Sequence, residues 1–213
     1  MKNLITFSVF FLLGVFIVVF FTVLRSEITL NSVVVSPLPS SQFSLKEAPE
    51  NSLAGQAAFS GSVSWQSRVA TASSRLKKPV LIQQGESLLT GEKSTASINF
   101  PNAVKINIYP KTEIDIIQTL PENMVFVQAS GSASFNNKGF SPVAIRSLAL
   151  LTYENTGNVR ITVNTNYDTV TVYVESGSAK IAFDDLSYTS HTFSLFKGDT
   201  YIFYSDTRQG GTL

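Results

Sequence analysis

The sequence contains no cysteine and a single histidine, His191. The absence of cysteine excludes disulfide bonds, thiolate metal sites, a cysteine nucleophile and lipidation of an amino-terminal cysteine. One histidine cannot supply a multi-histidine metal centre. We therefore expect no catalytic residues, no cofactor and no metal site.

Charged residues are also scarce, at 15% of 213 positions, against roughly 25% in an ordinary soluble chain. Sixteen Lys and Arg oppose fifteen Asp and Glu, which leaves a formal net charge of +1. A nucleic-acid binder needs a basic excess to neutralise phosphates, so nucleic acid is not an expected partner. Hydrophobic residues reach 44%, which argues against disorder.

Part of this hydrophobic content lies in one run, LITFSVFFLLGVFIVVFFTVL, from Leu4 to Leu24. As an α-helix it would be about 31 Å long, close to the hydrocarbon thickness of a bilayer. The alternative is a cleaved signal peptide, whose apolar region is usually shorter and ends in a small-x-small site. The flank Thr22–Glu27 lacks that site. The sequence therefore predicts an uncleaved signal-anchor helix at residues 4–24, with the bilayer as a partner.

The charges that flank this run give a slight preference for a cytoplasmic amino terminus. Lys2 lies before the run, whereas Arg25 lies after it with Glu27 close by. We expect residues 1–3 to form a short cytoplasmic tail of a single-pass protein in the cell membrane. The chain beyond the anchor is then extracytoplasmic, in a bacterial cell.

Residues 25–58 are predicted to form a tether. Ser36–Ser41 and Lys46–Ser52 combine prolines with polar residues and show no sustained period. Such a composition gives a semi-extended linker. Val33–Val35 leaves one short added strand open as an alternative.

Residues 59–213 show repeated two-residue alternation of apolar and polar side chains. It is clearest in Val104–Ile108, Glu113–Ile116, Val159–Asn164 and Val170–Glu175, with turn signals between them. The sequence therefore predicts an all-β domain, either a jelly-roll-like two-sheet sandwich or a β-solenoid, since both bury alternate residues. Large aromatic residues are available for its core, namely Trp65, Phe126, Phe135, Phe183 and Phe203.

A Gly-Ser pair opens three of the predicted strands. The pairs begin at Gly61, Gly131 and Gly177. Glycine suits a tight turn with positive φ, after which a fresh strand can start. The repetition indicates two related β halves or stacked coils, with chance similarity in a serine-rich chain as the alternative.

The run GESLLTGEKSTASINF, from Gly85 to Phe100, resembles the opening of the FecR-type domain. The family's next two strands have counterparts in Ile106–Pro110 and Thr112–Ile116. Its later strands and closing turn are echoed by Val170–Ile181 and Leu195–Asp199. The resemblance spans about Gly61 to Phe203, most of the predicted β domain.

The best-known members of the FecR family regulate sigma factors. They combine a long cytoplasmic tail that contacts the sigma factor, one membrane helix and a periplasmic sensing region. Here three residues precede the predicted helix, too few to inhibit a sigma factor. The resemblance therefore implies a tethered extracytoplasmic β module that acts by binding, without the anti-sigma region. The alternative is transmembrane signalling through a partner membrane protein.

Two sets of acidic residues are candidates for chemistry. Glu113 and Asp115 share a face of one strand at a spacing that a carboxylate pair could use, but the solvated face of a strand explains them better. Asp184 and Asp185 could join Glu175 around a hard cation, although no spaced acidic loop occurs and a turn explains the pair. The hypothesis that the protein is an envelope hydrolase depends on these acidic residues alone.

Three further features are candidate sites. His191 has no acidic neighbour in sequence, and no strained serine elbow is present. A basic cluster could touch anionic groups, but an exposed hairpin explains it better; it comprises Arg68, Arg75, Lys77 and Lys78. Several aromatic residues could line a ligand surface or fill the core, namely Trp65, Tyr167, Tyr188, Tyr201 and Tyr204.

The predicted loop Asn166-Tyr167-Asp168 is the preferred partner contact. A tyrosine in a loop should be exposed, and binding residues concentrate on loops. The partner is expected to be an envelope protein or a glycan.

Overall fold

The computed structural model describes residues 47–139 and 141–213. The predicted cytoplasmic tail, the anchor and most of the tether lie outside these residues. Within them, no helix is long and apolar enough to cross a membrane. The first strand, Gly55–Ser60, spans the expected boundary between tether and β domain at residue 59.

The described part of the chain is all-β, as the alternation predicts. It contains fifteen strands: β1 (Gly55–Ser60), β2 (Val63–Gln66), β3 (Ser74–Arg75), β4 (Val80–Ile82), β5 (Ser87–Thr90), β6 (Thr95–Asn99), β7 (Val104–Ile108), β8 (Glu113–Leu120), β9 (Asn123–Asn137), β10 (Val143–Ser147), β11 (Leu150–Asn164), β12 (Thr169–Asp184), β13 (Ser190–Phe196), β14 (Thr200–Tyr204) and β15 (Gln209–Thr212).

Hydrogen bonding divides these strands into two layers. The first layer runs β4-β1-β6-β7-β9-β11-β12-β14-β15, using the second halves of β9 and β11 and the first half of β12. The second runs β3-β2-β5-β8-β9-β10-β11-β12-β13, using the other halves. The three longest strands therefore belong to both layers.

Two of the Gly-Ser pairs lie inside these long strands. Gly131 and Gly177 have φ of 77° and 76°, and at each the strand leaves one layer and enters the other. At Gly131 a Cβ atom would lie 2.3 Å from Thr112 Oγ1. The sequence predicts a turn followed by a fresh strand at these glycines, whereas the structure shows one continuous strand that bends there. Gly61 does join two separate strands, β1 and β2.

The core lies between the two layers. Aromatic side chains connect them: the ring centroids of Phe100 and Phe126 are 5.8 Å apart, and those of Phe183 and Phe203 are 4.8 Å apart. Phe126, Phe135 and Phe203 are fully buried, whereas Trp65 is half-buried against the core. All strand pairs except β9–β10 are antiparallel within the described residues. This pairing favours the predicted two-sheet sandwich, since a parallel β-helix would pair its strands in parallel.

Candidate functional site

The outer surface of the first layer is dominated by amide and hydroxyl side chains. We call this surface the polar face. Its amide and hydroxyl strand positions are Gln56, Ser60, Thr95, Ser97, Asn99, Asn107, Ser132, Ser134, Asn136, Asn158, Thr162, Asn164, Thr169, Thr171, Thr200 and Gln209. They point outward because each strand buries its alternate residues in the core.

Strand pairing aligns these side chains into rows that cross the layer. In the central row, Ser97 pairs with Asn107, Asn107 with Ser134 and Ser134 with Arg160. The row continues from Arg160 to Tyr173 on β12. Neighbouring members are about 4.8 Å apart, the spacing between paired strands. Ser134 is buried within this row, so the groups open to an extended ligand are those of Ser97, Asn107, Arg160 and Tyr173.

A hydrogen-bonded network holds the centre of the polar face in place. Arg160 Nη2 lies 2.5 Å from Glu175 Oε1, and the Arg160 guanidinium lies 5.5 Å from the centroid of the Tyr109 ring. Asn158 Nδ2 donates to Glu175 Oε2 over 2.5 Å. Ser134 Oγ donates to Asn158 Oδ1 over 2.7 Å. These contacts restrict side chains that would otherwise lose rotamer entropy when a ligand binds.

The polar face is nearly neutral. Its charged strand positions are Lys105, Arg160 and Glu175, and the last two neutralise each other. Asparagine and serine are poor strand formers, so their abundance here is not explained by sheet stability. The outer surface of the second layer differs, since its central row includes Val127, Arg146 and Leu151. Both surfaces belong to the same fold but carry different side chains. This difference points to a specific role for the polar face.

The predicted contact loop lies at one end of the polar face. It joins β11 to β12, and the paired residues Asn164 and Thr169 flank it. Asn166, Tyr167 and Asp168 are exposed, with Tyr167 74% accessible. The Asp168 carbonyl accepts a hydrogen bond from the Ser205 amide over 2.7 Å, which fixes the loop against the adjacent turn. The contact with a partner remains a prediction.

The carboxylates Glu113 and Asp115 lie on the outer surface of the second layer. Asp115 pairs with Val127 and lines a shallow pocket with Arg68 and Glu86. Partial burial raises the pKa of the Asp115 carboxyl above its ordinary value. Their placement on one strand face agrees with the alternation.

The candidate cation ligands are not brought together. Glu175 contacts Arg160, Asp184 accepts a hydrogen bond from Ser190 Oγ, and Asp185 contacts His191. No group of three or more potential metal ligands occurs among residues 47–139 and 141–213.

The contact between Asp185 and His191 is one that sequence reasoning missed. Asp185 Oδ2 lies 3.0 Å from His191 Nε2, because the β12–β13 hairpin folds the two residues together. The hydrogen bond from His191, helped by the Thr189 amide, lowers the pKa of Asp185. The His191 ring also stacks on Phe183, with centroids 5.3 Å apart. The short separation of Asp185 and His191 in the sequence, across a hairpin turn, was the signal that could have indicated this contact.

The remaining candidates have separate places in the fold. Arg68 donates to the carbonyls of Glu47 and Gln84, whereas Arg75, Lys77 and Lys78 are exposed. Trp65 Nε1 donates to Glu86 Oε2 over 3.1 Å. Tyr201 is buried, and Tyr188 and Tyr204 are exposed, Tyr204 on the polar face.

Comparison with known proteins gives a likeness of fold. No protein-family model matches the chain, and no curated protein matches it. Two crystal structures of a "putative anti-sigma factor" from Parabacteroides distasonis superpose with a TM-score of 0.52. Their sequence identities are 11% and 10%. Each superposition covers 60% of this chain and 58% of the other, so this chain spans less than two thirds of those proteins.

Proposed function

We propose that this protein is a membrane-anchored binding module of the FecR type, displayed in the cell envelope outside the cytoplasm. The apolar run at residues 4–24 supports the anchor, and the motif resemblance together with the likeness of fold supports the FecR-type assignment. The module acts by binding and not by catalysis. Its partner contacts the polar face and the adjoining loop Asn166-Tyr167-Asp168.

The partner that best fits the polar face is a neutral glycan strand. Sugar hydroxyls both donate and accept hydrogen bonds, as the asparagine, serine and threonine side chains of this face do. Tyr173 and Tyr204 add exposed aromatic rings on the same surface. The observation that carries the proposal is the row from Ser97 to Tyr173, which is extended and polar and whose one charged member, Arg160, is neutralised by Glu175.

A binding experiment with the full-length chain in detergent micelles tests this proposal. The probes are chitin and glucan oligosaccharides, with polygalacturonate as the charged comparison. We expect a neutral probe to bind and Tyr173→Ala to weaken binding about tenfold or more, as loss of an aromatic anchor does. Tyr188→Ala is the matched control, since Tyr188 is 90% exposed in the β12–β13 loop, away from the polar face.

Two outcomes would count against the glycan proposal. One is equal loss of binding in the Tyr173 and Tyr188 variants. The other is binding to none of the neutral probes while an envelope protein is crosslinked to the polar face. The second outcome would still identify the protein as a binding module, but its ligand would be a protein instead of a glycan.

Transmembrane signalling is the second candidate function. The likeness of fold to the two Parabacteroides structures favours it. In this case the β domain changes the activity of a partner membrane protein through contacts of the anchor helix. Replacing residues 4–24 with an unrelated apolar helix separates the two functions: a binder keeps its ligand affinity and its cellular effect, whereas a relay through helix contacts loses the effect alone.

A further inference from the structure

Strand β13 is the longest free edge of the described sheet. Its seven residues, Ser190–Phe196, pair with β12 on one side and with no other described strand. The other edge strands are shorter: β15 has four residues and includes two glycines, β4 has three and β3 has two. Backbone N–H and C=O groups along a free edge form a template for another strand.

Most of this edge lacks the usual protection against pairing; only its last residue, Phe196, already uses its amide and carbonyl in hydrogen bonds with Asp199 of the following turn. Its sequence, SHTFSLF, contains no lysine, acidic residue, proline or glycine. Its register with β12 is continuous, without a bulge that would twist the edge away. Phe193 and Phe196 are 42% and 62% exposed, so apolar surface accompanies the free backbone groups. Edges of this kind pair unless a protein blocks them.

We propose that β13 pairs with β13 of a second copy of this chain, in antiparallel orientation. Pairing centred on Phe193 places Phe193 opposite Phe193 and Thr192 opposite Ser194, and it does not need the backbone groups of Phe196, which Asp199 already holds. Aromatic pairs directly across an antiparallel ladder are favourable. The arrangement is self-complementary about a twofold axis, which is the commonest symmetry of soluble dimers.

Charges at the two ends of β13 favour a second copy of this chain as its pairing partner. Lys197 is exposed in the turn just after the strand, and the paired arrangement brings this turn to the end of the second copy's strand at Thr189. The Thr189 carbonyl accepts a hydrogen bond from the Asp185 amide over 3.0 Å, so Asp185 is adjacent. Antiparallel pairing thus brings a lysine of one copy close to an aspartate of the other at both ends. Parallel pairing would separate these charges.

The dimer does not depend on the glycan proposal. If both hold, dimerisation strengthens glycan binding. A dimer presents two polar faces, and two linked sites bind a repeating ligand more tightly than one site does.

The first test is the mass of the full-length chain in detergent micelles, corrected for bound detergent. We expect twice the 23.2 kDa of one chain. Thr192→Lys puts a charge on the free edge and should give single chains. Thr162→Lys is the matched control on an exposed strand position of the polar face and should remain dimeric. Fluorescence of Trp65, the one tryptophan, verifies folding of each variant.

The second test uses the absence of native cysteine. Thr192→Cys chains are mixed with Ser194→Cys chains and oxidised. We expect disulfides that join position 192 of one chain to position 194 of another to form several-fold faster than disulfides between two Thr192→Cys chains. Thr162→Cys chains should not crosslink. Monomeric wild type overturns the proposal. So does a dimer that Thr192→Lys leaves intact, because its contact then lies elsewhere.

Discussion

Replacement of Glu154 by glutamine should change how stability depends on pH. Glu154 lies on β11 between Val143 of β10 and Ala179 of β12, fully buried between the layers. Neither carboxyl oxygen has a hydrogen-bond partner among the residues that the structure describes. Burial penalises the charged form and raises the pKa of this carboxyl to about 8. Glu154 is therefore mostly protonated at neutral pH.

The shift fixes both the sign and the size of the effect. The folded protein holds the Glu154 proton more tightly than the unfolded chain, whose carboxyl has a pKa of 4.5. The stabilising contribution of this group is fully present below pH 4.5 and is lost as the pH rises through about 8. Over that window it corresponds to roughly 5 kcal/mol of unfolding free energy, at about 1.4 kcal/mol for each pH unit.

The assay is denaturant unfolding followed by the fluorescence of Trp65, from below pH 4.5 to above pH 8. The difference in unfolding free energy between Glu154→Gln and wild type should grow in favour of the variant across the window. Other carboxyl groups titrate in both proteins and cancel. Glu122→Gln, at an exposed position, should follow wild type. Parallel curves for wild type and Glu154→Gln would refute the reasoning.

Two further predictions concern backbone geometry and a capped loop. Gly131→Ala should destabilise the fold well beyond Gly198→Ala: both glycines have positive φ, worth about 1–2 kcal/mol of strain, but only at Gly131 would the new Cβ clash, at 2.3 Å from Thr112 Oγ1. Equal losses in thermal unfolding would contradict the role of this bend. Asp185 has a lowered pKa, so its stabilisation of the β12–β13 loop is present above pH 3.8 and is lost as the pH falls through its folded pKa. Protection of the Thr189 amide from hydrogen exchange should fall in that range in wild type and be independent of pH in Asp185→Asn; identical profiles would show that the carboxylate does not hold the loop.

Local alternation was sufficient to predict strands such as β7 and β12, because one face of each is buried. Val104–Ile108 and Val170–Glu175 lie within β7 and β12, as the two-residue period predicts. The Gly-Ser pairs marked places where the chain changes course. Whether a strand ends there or bends into another layer depends on pairing with distant strands, which local sequence does not encode. Gly131 and Gly177 are the instances.

The candidate site was less accessible to sequence reasoning. Each strand shows which residues point outward, but the alignment of Ser134 with Arg160 and of Arg160 with Tyr173 depends on long-range register. The contact of Asp185 with His191 likewise required the hairpin. Loop composition did indicate the exposed turn at Tyr167, since asparagine and aspartate favour turns.

Hydroxyl-radical footprinting of the tyrosines tests the binding surface most directly. The full-length chain is oxidised with and without saturating chitin or glucan oligosaccharide, and modification is measured at each tyrosine by mass spectrometry. We predict that the bound neutral glycan shields Tyr173 and Tyr204 and leaves Tyr188 unchanged. Unaltered oxidation of Tyr173 and Tyr204 with every neutral oligosaccharide, or shielding of Tyr188 alone, would contradict the assignment of the polar face as the glycan-binding surface.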